Sequence, residues 1–349
     1  MKIGMLISGS CSINRTDQWV TGRCEVRCGI NAGYGFALMG HEVDIVCPSF
    51  IDADNVFPGV SLRKNWDITK EYDVLWTWAG NPGFNLPSNH RMAIVMVEPS
   101  NKKETLVTIQ SRISSGKIYT LSKKCIPLLR SNYGIDLNYF PSLYPIPCLP
   151  GIVNQDFLPF DFDRKKKDIN VFVFLNSWPS YHINCDQRIV DVLRRLRDNH
   201  GYRMNVSVMI GGNNVMPIAG NTIVQEFKAT ALSSDNMCYL DVMNVLRNSD
   251  ICITKGGWCY CGNCAYDIIS LGKLMIYCTE GKSDTNINDL YPLDRWVIRH
   301  EEGTTKAYEK ADRILSDPEA CYNDMKKELI TYSFPEWSKI VGEILSEIQ

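Results

Sequence analysis

No apolar run in this 349-residue chain approaches the roughly 18 residues that would cross a bilayer, so no membrane span is expected. Neither sign of charge dominates. The chain has 37 Lys and Arg against 39 Asp and Glu, a formal net charge of −2, which excludes a global basic field advertising nucleic acid. A secretory signal is missing too: "MKIGMLIS" has one Lys and a very short apolar run, and reads better as a first strand. The "SGSC" that follows lacks the Leu a lipid-anchoring site would want. The fourteen cysteines therefore do not read as an extracellular disulfide framework, and a reducing cytoplasmic setting is expected. There is no internal repeat and no low-complexity segment. What remains, 45% hydrophobic and 22% charged residues, describes a globular chain long enough for two domains.

Strand and helix patterns alternate along the first half. "KIGMLIS", "GHEVDIVCP", "EYDVLWTW", "RMAIVMVEP" and "KIYTLS" are short apolar runs of the kind buried on both faces of a parallel sheet. Helices are expected near 28–39 and in "KKCIPLLRSNYG", the latter capped by Ser122 and closed by Gly134. Residues 151–168, with a Pro and a charge run, break the pattern and read as a linker. A second unit then runs through strand "INVFVFLN", helix "CDQRIVDVLRRLRDNHG", strand "NVSVMIGG", helix "YLDVMNVLRNSD" and strands "ICIT" and "KLMIYC". An amphipathic segment, "FPEWSKIVGEILSEIQ", closes the chain after a restarting Pro. This order predicts an α/β protein of two Rossmann-like, doubly wound domains facing a cleft, with ligands at the carboxyl ends of the strands.

The stretch "ITKGGWCYCGNCAYDIISLGKLMIY" holds the most chemistry. Its Cys259, Cys261 and Cys264 invite a zinc reading, but a structural zinc site needs four ligands and only Cys261 and Cys264 have paired spacing. Cys252 and Cys278 lie in strand patterns, where a thiol is a small buried hydrophobe. No metal is expected. Lys255, Gly256 and Gly257 follow a strand end directly, where backbone N–H groups approach an anion and a helix start supplies favourable dipole. An ordinary turn accounts for the three nearly as well.

With its strand, loop and helix, and an acid five residues before a Gly, this stretch resembles the GT-B glycosyltransferases. The resemblance implies that Asp267 accepts hydrogen bonds from the ribose hydroxyls of a nucleotide sugar, for which a carboxylate is a strong acceptor. The family usually has Glu there and a Pro after "GK", where this chain has Asp267 and Leu274. Its retaining branch has a second Glu eight positions earlier, and here that place is Cys259. Within the fold, "FLNSWPSYHINCDQRIV" is similar to the phage DNA glycosyltransferases, which implies Ser177 and Arg188 as nucleotide-sugar residues, with Arg188 meeting the diphosphate. The same likeness at "RMAIVMVEPSN" implies Glu98 as general base, and the closing segment looks like the final helix that crosses back to the first domain.

The residues themselves are compatible with that division of labour. Glu98 ends an apolar strand before Pro99, and one carboxylate suffices to deprotonate an acceptor hydroxyl. Asp17, Glu25 and His41 are rival bases. The long loop after the first strand offers Arg15, Trp19 and Arg23 to hold an acceptor by charge and stacking, and Trp76, Trp78 and Phe84 follow near the same place. Residues 101–130 carry seven cations, beginning with Lys102 and Lys103, against Glu104 alone. Such a patch could neutralise phosphates, or it could be a solvated face. The resulting expectation is a cytoplasmic glycosyltransferase with residues 1–160 and helix 334–349 binding acceptor and residues 168–332 binding a UDP-sugar. It would hold no tight cofactor and require no divalent metal. The preferred acceptor is an anionic polymer such as 5-hydroxymethylpyrimidine in double-stranded DNA, whose base would have to be flipped out. A surface-polysaccharide or lipid-linked acceptor, a sugar-nucleotide epimerase and a non-catalytic two-lobed sugar-binding protein stay open as alternatives.

Overall fold

A computed structural model describes residues 1–7, 24–47, 52–67, 69–78, 90–96, 116–120, 123, 125–134, 136–141, 157–176, 183–211, 218–233, 239–255, 263–279, 295–330 and 334–347. Contacts divide the chain into one unit of residues 1–155 and 331–349 and a second of residues 156–330.

Unit 1 is built on β1 (Lys2–Leu6), α1 (Cys24–Leu38), β2 (Glu42–Val46), β3 (Ala53–Phe57), β4 (Val60–Arg63), β5 (Tyr72–Trp78), β6 (His90–Met96), β7 (Gly116–Thr120), α2 (Cys125–Tyr133) and β8 (Asn138–Tyr139). Its sheet has the order β3-β4-β2-β1-β5-β6-β7-β8 and is parallel except for the β3–β4 hairpin. That hairpin was not anticipated, although Pro58-Gly59 marks its turn and Gly59 takes φ +80°. Chain order reverses between β1 and β5. The four residues Ile3, Met5, Val43 and Ile45 are fully buried, as a sheet covered on both faces demands.

The closing amphipathic segment is α9 (Phe334–Ser346), and it packs on unit 1. Trp337 is fully buried, edge-on to Phe36 at 5.3 Å and to Phe140 at 6.3 Å, and its Nε1 donates to the Pro141 carbonyl at 3.1 Å. Val341 and Leu345, four and eight residues on, continue the same buried face. The final helix therefore returns to the first unit, as the resemblance implied.

Unit 2 contains β9 (Asp168–Asn176), α3 (Ile183–Asp198), β10 (Arg203–Gly211), α4 (Ile218–Phe227), β11 (Thr230–Ser233), α5 (Tyr239–Arg247), β12 (Ile251–Lys255), α6 (Asn263–Ser270), β13 (Leu274–Thr279), β14 (Ile298–Arg299), α7 (Gly303–Ser316) and α8 (Pro318–Leu329). The strand order is β11-β10-β9-β12-β13-β14, parallel throughout, so chain order reverses between β9 and β12. Every residue of β12 and β13 is buried, which suits strands at the centre of a doubly wound sheet. The thiols there behave as expected. Cys252 and Cys278 are fully buried, and burial pushes the Cys252 thiol far above its usual range.

Much of the stretch read as a linker is packed against unit 2. The amide of Leu158 donates to the Ser270 carbonyl and that of Asp161 to the Gly272 carbonyl, while Phe160 lies 4.8 Å from Tyr322. Gly272 ends α6 with φ +73°, and a Cβ there would sit 2.0 Å from the Pro159 carbonyl oxygen. Only glycine fits. The glycine five residues after Asp267 is thus a helix terminator over which this strap passes.

Candidate functional site

In an open parallel sheet the ligand site lies outside the carboxyl ends of the strands, where chain order reverses. In unit 2 that point is the β9–β12 edge, and the described residues there carry an unusual load of buried charge. Lys255 is the last residue of β12, and its Nζ donates to Asp186 Oδ1 at 2.6 Å, with side chains only 2% and 5% exposed. Asp186 stands in the first turn of α3, which packs on β12 and β13. Burial pushes its carboxyl above the usual range, against the opposing pull of the Lys255 ammonium. A buried acid held beside a buried cation at a sheet edge is costly unless the geometry is good.

Arg188 lies half a turn further along α3 and is itself buried. Its Nη1 donates to Asp191 and, at 2.6 Å, to Thr304 Oγ1, and its Nε approaches His300 Nδ1 at 3.4 Å. Thr304 Oγ1 in turn donates to Asp191 Oδ2 at 3.0 Å, and Gln187 to Asp191 Oδ1 at 3.1 Å. The guanidinium is thereby fixed at one end. Its Nη2 has no partner among the described residues. His300 and Thr304 flank the start of α7, which brings a second helix amino terminus to the same edge.

Asp267 sits in the second turn of α6, 2% exposed. Its charge opposes ionisation of neighbouring Tyr266, whose hydroxyl is raised above its usual range first by burial and then by Asp267. Sequence order alone places the start of α6 at this edge, because the helix connects the parallel strands β12 and β13.

Of the residues singled out from sequence, the fold thus brings Arg188 and Lys255 to one edge and puts Asp267 on the helix that starts there. Ser177, Gly256 and Gly257, together with Glu98, Arg15, Trp19, Arg23, Lys102 and Lys103, lie outside the described residues, as do the rival bases Asp17 and, for its side chain, Glu25. Cys259 and Cys261 are also outside them, and no cluster of ligating side chains suited to a metal occurs among the described residues. Trp76 is 1% exposed in the core of unit 1. His41 precedes β2, at the amino-terminal edge of its sheet and away from the carboxyl ends where a base is wanted. Sequence reasoning missed Asp186 and Asp191. The signal was present, an Asp on either side of Arg188 in "NCDQRIVD", but their partners lie far along the chain.

Several surface cations have partners within the protein. Arg194 and Arg197 pair with Glu226, and Arg195 with Asp312, so the basic face of α3 is bonded to its neighbours rather than merely solvated. In the 101–130 patch, Lys117 pairs with Glu347, Lys123 lies 4.8 Å over the Tyr139 ring and Arg130 pairs with Asp136 at 2.7 Å. A groove of about 260 Å³ lies at the opposite, amino-terminal edge of the unit 2 sheet, lined by Asn170, Asn205, Ser207, Asn244 and Asn248. No helix among the described residues is long and apolar enough to cross a membrane.

No family model matches the sequence, and no curated protein matches it either. Solved structures do. The chain is similar over 99% of its length to 98% of the sucrose-phosphate synthase of Thermosynechococcus elongatus, with 10% identity and a TM-score of 0.60. It is similar over its whole length to the whole of the trehalose-6-phosphate structure from E. coli bound with UDP-2-fluoro glucose, at 10% identity and a TM-score of 0.58. AviGT4, a glycosyltransferase involved in avilamycin A biosynthesis, matches 99% of the chain over 98% of its own, at 12% identity and a TM-score of 0.61. At such identities the likeness concerns the fold. The chain has the GT-B architecture of these proteins, with two Rossmann-like domains and a last helix returned to the first.

Proposed function

We propose that this protein is a glycosyltransferase that uses a UDP-sugar as donor and binds its nucleotide in unit 2. The observation that carries the proposal is the placing of Arg188 and Lys255 at the β9–β12 switch edge of a GT-B chain, with Asp267 on the adjoining helix. Arg188, through Nη2, and Lys255 meet the diphosphate, and Asp267 accepts from the ribose hydroxyls. Ser177, Gly256 and Gly257 complete the nucleotide subsite. Glu98 takes the proton of the acceptor hydroxyl as its oxygen attacks the anomeric carbon, and the bond from that carbon to the diphosphate oxygen breaks. Negative charge develops on the leaving diphosphate, and Arg188, Lys255 and the helix amino termini stabilise it in the role a divalent cation plays elsewhere.

The acceptor belongs to unit 1, through Arg15, Trp19, Arg23, Lys102 and Lys103. An anionic polymer suits these residues, with 5-hydroxymethylpyrimidine DNA as its sharpest form. What supports it is the run of cations after Glu98 in the sequence. Against it, Lys117, Lys123 and Arg130 already have partners of their own.

A thermal-shift panel of nucleoside diphosphate sugars tests the donor. A UDP-sugar at 100 times its Kd stabilises by about 2.7 kcal/mol. Asp267→Ala should lose most of that shift, read against its own ligand-free melting temperature. A panel in which no nucleotide sugar moves the wild-type protein overturns the proposal. With the donor known, product formation on hydroxymethylated against unmodified DNA decides the acceptor.

A further inference from the structure

The Lys255 ammonium carries three donors, and Asp186 takes one of them. Among the described residues it has no other partner, although its side chain is 2% exposed. A lysine so deeply enclosed does not hold its position by solvation. What holds it is the carboxylate reaching across from the first turn of α3, an element separated from it by 69 residues of sequence. The bond also ties together the two elements that border the switch point, the end of β12 and the beginning of α3. Arg188, two residues after Asp186, is carried on the same turn and is fixed from its other side by Asp191 and Thr304.

We infer that Asp186 is a positioning residue for diphosphate recognition: it holds the Lys255 ammonium at the carboxyl end of β12 with its remaining donors directed to the phosphates. The inference deepens the proposed function and rests on it. It makes a prediction that runs against simple electrostatics. Removing a negative charge near an anion site should tighten the anion by Coulomb's law alone. If Asp186 instead positions the cation, its loss weakens the anion. Without its counter-ion the buried ammonium leaves its place for solvent, because an unpaired charge is costly to bury. The phosphates then lose their donor.

The test compares UDP with uridine, so that the diphosphate contribution is isolated from the rest of the nucleotide. Isothermal titration of the full-length protein with each gives an affinity ratio. Asp186→Asn should weaken UDP by about tenfold or more and leave uridine unchanged, and Asp186→Glu should recover part of the loss. Lys255→Met should weaken UDP to a similar degree. The double variant Asp186→Asn/Lys255→Met, which leaves no lone buried charge, should bind UDP no worse than Lys255→Met alone, because the two residues act as one unit. This double variant also serves if Asp186→Asn does not fold. Wild-type protein that binds neither UDP nor uridine overturns the nucleotide site and the inference with it. The inference alone is overturned if wild type binds UDP and Asp186→Asn binds it equally or more tightly. It is overturned as well by equal loss of UDP and uridine, or by additive losses in the double variant.

Discussion

Both units bury an acid beside a cation, but at different places on their sheets. In unit 1, Asp44 sits in the middle of β2, 3% exposed, and accepts from Lys70 Nζ at 2.7 Å, just before β5, and from the hydroxyl of Tyr72, its first residue, at 2.9 Å. Trp66 packs edge-on against that tyrosine at 5.5 Å. The group ties the 64–71 connection to the sheet and faces no switch point. In unit 2, the pair Asp186–Lys255 and the group around Arg188 stand at the carboxyl edge where chain order reverses. Similar chemistry thus stands at different places in the two topologies. Under the proposed function, position on the sheet, not the presence of a buried ion pair, separates a tie in the scaffold from a part of the ligand site.

Four substitutions or conditions sharpen this comparison. The largest effect belongs to unit 1. Trp337→Ala should cost about 3–5 kcal/mol in chemical denaturation, by opening a cavity among Phe36, Phe140 and α9. Donor affinity per folded molecule should not change. A cost under about 1 kcal/mol would mean that α9 contributes little to unit 1. Next comes Gly272→Ala, which meets the Pro159 carbonyl and a left-handed backbone together. The expected loss is about 3 kcal/mol, read as a lower melting temperature. A variant as stable as wild type would show that the strap moves aside freely.

Asp44→Ala tests the contrast most directly. It strips Lys70 and Tyr72 of their acceptor and should cost about 1–3 kcal/mol of stability. The ratio of UDP to uridine affinity should stay at the wild-type value, unlike that of Asp186→Asn. A changed ratio would break the distinction between the two edges. The smallest effect concerns pH. The Arg195 guanidinium bonded to Asp312 holds that carboxyl below its usual range, opposed by partial burial and aided by His200. Folded Asp312 therefore binds its proton less tightly than the unfolded chain does. Its contribution is present at neutral pH and is lost progressively below about pH 4. Melting temperature plotted from pH 7 to pH 3 should fall less steeply for Asp312→Asn than for wild type, and parallel curves would refute the assignment.

The strands that border the unit 2 switch point were legible because their signals are local. "INVFVFLN" and "ICIT" are apolar runs that cannot be satisfied except between two covered faces, and the structure has them as β9 and β12. Less visible was α4, ten residues with a Gly, a Thr and three β-branched Ile or Val, each a weak helix former. Packing on β10 supplies what propensity does not. Asp267 was found through its offset from Gly272, and the structure gives that offset its physical cause: the glycine ends the helix on which the acid stands.

Alternating apolar runs and turn glycines were enough to determine two parallel, doubly wound sheets and the return of a final amphipathic helix, because burial and backbone conformation act residue by residue. The pairing of charges was not determined in that way. Asp186 meets a lysine 69 residues away, and Arg188 meets a threonine 116 residues away. Such partners become neighbours only once strand order is set, since the sheet brings the end of β12 beside the first turn of α3. Tertiary structure therefore decided which carboxylate each cation meets and which cations stand together at the switch edge.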